Sequence, residues 1–121
     1  MHKTLKVAGL ALVLALPMAP AVAAEISNLN GQSCGDEMGN WHFVNNQTGG
    51  ATGGWLTAEF SDGTVWVVES NQVNKSNMHF DVEGQDGTLV SASTSVDQAG
   101  LTPLPGRLVL SDFSCEDVKK K

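Results

Sequence analysis

Two histidines, His42 and His79, lie in the body of this 121-residue chain, each directly before a phenylalanine in a β-rich run. Alternation in Trp41-His42-Phe43-Val44 and in Met78–Glu83 turns both imidazoles away from the apolar side chains beside them. If the two runs are neighbours, the rings can meet and bind zinc or copper, with Asp81 or Glu83 as a third ligand. The alternative is a pair of outward polar residues hydrogen-bonding across a sheet. Asp81, Glu83 and Asp86, interleaved with Gly84 and Gly87, form an oxygen-rich set of the kind calcium takes. Their order does not follow an EF-hand loop, and an acidic hairpin tip is also ordinary surface chemistry.

Gly31-Gln32-Ser33-Cys34-Gly35 matches the G-x-S-x-G nucleophile pattern. That motif needs a strained strand-to-helix turn above a large α/β sheet. No helical period follows it here, and a cysteine sits inside it, so it reads as a turn around a bridge. Thirteen carboxylates leave a hydrolytic acid pair open by composition. A chain this small has little room for a cleft that desolvates an acid, and it has no tyrosine. The expectation is a protein that is not an enzyme, with no catalytic residue assigned.

Three tryptophans carry most of the aromatic area. Trp66 sits amid valines and reads as core. Trp55 lies opposite the Leu56/Phe60 face and follows the glycine-rich run Gln47–Gly54. It is therefore the candidate platform for stacking on a sugar ring, with Thr52 and Gly53 of the loop as further ligand-binding candidates; core packing is the competing reading.

Residues 1–24 show a basic start, an apolar run from Val7 to Leu16 and the small-residue end Ala21-Val22-Ala23-Ala24, the pattern of a cleavable signal peptide. The apolar run is shorter than the ~20 residues a membrane span requires. Cleavage before Ala24 or Glu25 leaves about 97 residues, a single domain over 25–121 with a short lysine tail. Loss of Lys3 and Lys6 leaves five basic against thirteen acidic side chains, a net charge of −8. Three of the five are the terminal Lys119-Lys120-Lys121, so a nucleic-acid partner, which needs clustered cations, is not expected. An exported chain with two cysteines, Cys34 and Cys115, is expected to join them as a disulfide in the oxidising space outside the cytoplasm.

These residues must be positioned by about six short strands, at Trp41–Val44, Trp55–Phe60, Thr64–Glu69, Met78–Glu83, Thr88–Thr94 and Arg107–Cys115. Asp62-Gly63 and Asp86-Gly87 supply turn chemistry between them, both read as hairpin turns. Thr64–Glu69 is apolar on both faces, which predicts a central strand covered on both sides. Regular short strands with one-sided burial predict an all-β fold, a small antiparallel β-sandwich of immunoglobulin-like or jelly-roll-like type with one disulfide.

The run Gly39-Asn40-Trp41-His42-Phe43-Val44, with Leu56-Thr57-Ala58-Glu59-Phe60, His79-Phe80 and Leu108-Val109-Leu110-Ser111 before Cys115, resembles small secreted or surface-attached bacterial β-sandwich modules. Those modules open with a G-x-W-H-F-V strand after one cysteine and close with L-V-L-S and a second. The resemblance covers most of the chain after the leader and implies a sandwich stapled by its two cysteines, but no particular activity. Many such modules carry a C-terminal sorting segment, where this chain has lysines. The composite expectation is a secreted or periplasmic adhesion, matrix or carbohydrate-interaction module, whose partner is an extracellular polysaccharide or surface protein. The alternatives are a metal-binding module (calcium, zinc or copper) and a small hydrolase. A binding module predicts an exposed tryptophan, a metal module adjacent imidazoles, and a hydrolase two acids converging in a cleft.

Overall fold

Period-two alternation in short runs rich in valine, threonine and aromatics gives strands with one face to bury, and two such faces pack as layers. A computed structural model describes residues 4–8 and 24–116 and shows two antiparallel four-stranded sheets. The elements are β1 (Thr4–Ala8), β2 (Met38–Asn46), β3 (Trp55–Phe60), β4 (Thr64–Glu69), β5 (Gln72–Asn74), β6 (Asn77–Gln85), β7 (Leu89–Ser95) and β8 (Arg107–Glu116). One sheet has the order β1-β4-β3-β7 and the other β5-β6-β2-β8, and no helix occurs among the described residues. The fold is a small β-sandwich with one disulfide. No helix among the described residues is long and apolar enough to cross a membrane.

The inner faces follow the sequence pattern. Leu56, Ala58 and Phe60 of β3 meet Phe43 of β2, Met78, Phe80 and Val82 of β6 and Leu108 of β8, all with 1% exposure or less. Trp41 is the aromatic centre, edge-on to Phe60 at 5.0 Å and stacked on Phe113 at 4.9 Å. Its indole N–H donates to the Gln85 carbonyl at 3.1 Å. The buried Gln85 side chain in turn accepts from the Trp66 indole at 2.6 Å and donates to the Asp86 carbonyl at 2.8 Å. Both buried indoles thus have acceptors from one residue, as burial of a polar group demands.

Three elements depart from the sequence pattern. The polar stretch after Ser70 contains β5, a three-residue edge strand that pairs with β6 from Gln72↔His79 to Asn74↔Asn77. It carries too little alternation to be recognised. β4 buries Trp66 and Val68 but leaves Val65 and Val67 half-exposed on the outer face, so it is not covered on both sides. Only one of the two Asp-Gly turns closes a hairpin. At Asp62-Gly63, φ of Gly63 is 88° and Asp62 Oδ1 accepts from Thr64 N at 2.9 Å between paired β3 and β4. Asp86-Gly87 instead carries the chain from one sheet to the other, because Gly87 and Leu89 pair with the Gln32–Gly35 segment rather than with β6.

β1 lies inside the stretch that reads as a leader, and it pairs with β4 from Thr4↔Val68 to Ala8↔Thr64. The apolar centre of that stretch and the terminal lysines lie outside the described residues. In the chain as described, β4 is an inner strand between β1 and β3; removal of residues 1–24 would leave it at the sheet edge.

The loop after β7 is organised by Asp97, whose carboxylate accepts from Thr102 N at 2.8 Å and Leu101 N at 3.2 Å. The hydrogen bond from Thr102 is the main reason its carboxyl is held below the ordinary value of 3.8. A depressed carboxyl stabilises the folded loop fully above the ordinary value, and that contribution disappears as pH falls through the lower, folded value. A carboxyl-carbon NMR titration is expected to show Asp97 titrating below the ordinary value of 3.8. Asp97→Asn is expected to abolish the acid-dependent loosening of residues 97–102, read as faster amide exchange.

Candidate functional site

The outer face of the β5-β6-β2-β8 sheet brings the two body histidines together. β2 and β6 are antiparallel neighbours, with His42 opposite Asp81 and Val44 opposite His79. On a pleated pair, residues opposite each other and their diagonals share one face within side-chain reach. The outcome is a chain of contacts. His42 Nδ1 lies 2.6 Å from Asp81 Oδ1, and His42 Nε2 lies 3.1 Å from His79 Nδ1. Asn71, from the turn between β4 and β5, donates its side-chain amide to the other oxygen of Asp81. Asp81 is acceptor-only when ionised, so His42 carries its proton on Nδ1 and points the Nε2 lone pair at His79. The His42 and Asp81 side chains are 34% and 29% exposed, so the site is open to ions from solvent.

A bulge adds a second carboxylate to this row. The β2–β8 register shifts between His42 and Phe43, which pair with Asp112 and Leu110 respectively, leaving Ser111 as the extra residue. Without the bulge, Asp112 would follow Leu108 and Leu110 inward. With it, Phe113 turns in to stack on Trp41, and Asp112 stands opposite His42 on the outer face. His42 is therefore flanked by Asp81 on one side and Asp112 on the other. Sequence reasoning passed over Asp112, although the break in alternation from Leu108 and Leu110 to Phe113 is the signal of the bulge, and over Asn71 because it sits in an irregular turn.

The other metal candidates are placed apart from this chain of contacts. Glu83 is exposed farther along β6 opposite Asn40, and Asp86 follows Gln85 into the crossing between sheets. β6 runs on to Gln85 through a bulge at Gly84, so Asp81 and Glu83 lie on the strand and Asp86 beyond it, and the three carboxylates do not share one turn. Among the described residues, no group of three or more His, Cys, Asp or Glu side chains is arranged to hold a metal ion. Ser33, in the G-x-S-x-G segment, donates to the Gly87 carbonyl at 3.2 Å and accepts from Thr88 Oγ1 at 2.8 Å. It is a turn residue beside Cys34, which is bonded to Cys115.

A second feature is a shallow open groove of about 590 Å³ lined by Gly50, Ala51, Thr52, Val73, Lys75 and Ser76. It lies between the glycine-rich β2–β3 loop and the β5–β6 turn. Buried Thr48 fixes the two walls together, since both its N–H and its hydroxyl donate to the Ser76 carbonyl, at 3.0 and 3.2 Å. Gly49 and Gly50 have φ of 78° and 85°, values that side chains disfavour, which is why this wall is glycine-rich. Thr52 lines the groove; Gly53 and Trp55 do not. Trp55 is half-buried on the outer face of the opposite sheet, between its strand partners Glu69 and Ser95.

No known family pattern matches this chain, and neither curated proteins nor solved structures show a significant similarity to it.

Proposed function

We propose that this chain is an exported, non-enzymatic β-sandwich that binds an extracellular polysaccharide or surface glycan, serving in adhesion or matrix interaction. The observation that carries this reading is the groove between the fixed glycine-rich loop and the β5–β6 turn. Its volume is within the usual range for ligand sites, and its lining combines hydroxyls (Thr52, Ser76), small apolar surface (Ala51, Val73) and one cation, Lys75. Hydroxyls and a cation beside apolar patches suit a sugar ring bearing an acidic group. The acidic character of the rest of the chain opposes dense polyanions, which favours isolated acidic sugars over nucleic acid. The leader pattern and the disulfide support an extracellular or periplasmic setting.

Depletion of the protein from solution by washed envelope or matrix polysaccharide tests this reading. Lys75 occupies a left-handed conformation with φ of 54°, which asparagine tolerates, so Lys75→Asn removes the charge without disturbing the turn. That substitution is expected to weaken binding about tenfold, the value of one charge-assisted hydrogen bond. Thr52→Trp, which fills the groove, is expected to abolish binding, and Trp55→Ala to leave it unchanged. If Trp55→Ala alone abolished binding, the ligand would sit on the outer face of the other sheet. Absence of saturable binding to any fraction would overturn the reading.

A further inference from the structure

We infer that His42 Nε2 and His79 Nδ1 form a two-nitrogen site for a copper- or zinc-class divalent ion on the outer face of the β6–β2 pair. The two nitrogens are 3.1 Å apart, with the rings tilted by 38° and their centroids 5.2 Å apart. Two nitrogens bound about 2.05 Å from one ion at that separation subtend an angle of about 98° at the metal, between the square-planar and tetrahedral values. The N···N distance already equals an edge of a coordination sphere, so binding needs ring rotation and no backbone movement. The ion takes the place of the proton between the rings, and the proton that His79 carries on Nδ1 moves to its Nε2.

Asp81 acts as a positioning residue in this site. Its Oδ1 is occupied by His42 Nδ1 and its Oδ2 by Asn71, so the carboxylate orients the imidazole and fixes its tautomer. A carboxylate on the far nitrogen of a ligating histidine is the usual outer-shell arrangement at metal sites, and it raises ligand basicity. Asp112, opposite His42 on β8, adds a second negative charge beside the incoming cation. Two imidazoles without a bound carboxylate favour copper or zinc over calcium, which takes six to eight oxygen ligands. The remaining coordination positions are open to solvent, since His42 is one-third exposed.

Calorimetric titration of the chelator-treated protein with Cu(II) and with Zn(II) tests this assignment. The measurement is made in a His2→Ala background, so that His42 and His79 are the histidines that remain. One ion per chain is expected, with copper binding more tightly than zinc. His42→Ala and His79→Ala are each expected to abolish the signal; both positions are on the outer face, and retention of the cooperative unfolding transition verifies that the variants fold. Asp81→Asn is expected to weaken binding about 10- to 100-fold through the lost orientation, and Glu83→Gln to have no effect. Imidazole NMR resonances of His42 and His79 are expected to respond together at one equivalent of metal. Absence of heat with both metals overturns the proposal. So does wild-type affinity in His79→Ala, which would place the ion elsewhere.

Discussion

Replacing Cys34 and Cys115 together by alanine is expected to lower the unfolding free energy by about 4–5 kcal/mol, the chain-entropy value for a loop of this length. The bridge spans a sequence separation of 81 residues, so reduction releases nearly the whole domain from a constraint on its unfolded ensemble. Small domains have total stabilities of about 5–15 kcal/mol, and this one lies at the small end in size. Its loss is therefore expected to bring the protein near its unfolding threshold at 37 °C. Urea denaturation with and without reductant reads the effect as a large fall in midpoint; equal midpoints in the two conditions would refute it. The bridge also sits at a crowded place. Gly39 pairs with Cys115, and a Cβ on Gly39 would stand 2.5 Å from the Cys34 sulfur and 2.9 Å from the Trp41 indole nitrogen. Glycine is required there so that the disulfide can cross β2 against the aromatic core.

Trp41→Ala is expected to cost about 3–5 kcal/mol, the range for removing a large aromatic from a packed interior. Trp41 is 1% exposed and contacts Phe60 and Phe113 from opposite inner faces of the sandwich. Its loss opens a cavity between the sheets and removes the stacking partner that holds Phe113 inward past the β8 bulge. Because that bulge also sets Asp112 opposite His42, Trp41→Ala is expected to disturb the histidine face as well as stability. Trp41→Phe keeps most of the ring contact and is expected to recover more than half of the loss, leaving the Gln85 carbonyl without its indole donor. Chemical denaturation of the two variants beside the wild type gives the comparison, and a cost below 1 kcal/mol for alanine would show that the core repacks around the gap.

How much of this was legible in the sequence differs from element to element. The inward sets Leu56/Ala58/Phe60 and Met78/Phe80/Val82 follow from period-two alternation, because the strand geometry that produces it is local. The Asp62-Gly63 hairpin follows for the same reason, since a positive φ at glycine is a property of one residue. Asp86-Gly87 has the same local chemistry and a different outcome, since whether a turn closes a hairpin or crosses between sheets depends on which segment the next strand pairs with. β5 and Asn71 had no periodic signal because three residues of edge strand and one turn residue have no face to bury. The bulge at Ser111 leaves one trace, the slip of the apolar phase from Leu108 and Leu110 to Phe113, but such a slip alone does not say which residue is extra or what the next one faces.

Side-chain type and strand alternation are enough to specify the layer architecture, the inward faces, the outward direction of His42 and His79, and two cysteines suited to one bridge. That β2 and β6 are neighbours, in a register that sets His42 against Asp81 and within 3.1 Å of His79, follows from the folded sheet alone. Folding likewise moves Trp55 away from the glycine-rich groove and brings Lys75 and Ser76 to that groove instead. Strand order and register come from the summed packing of two whole faces, a quantity carried by no single segment, so residues 37 positions apart become a site only when both sheets have closed.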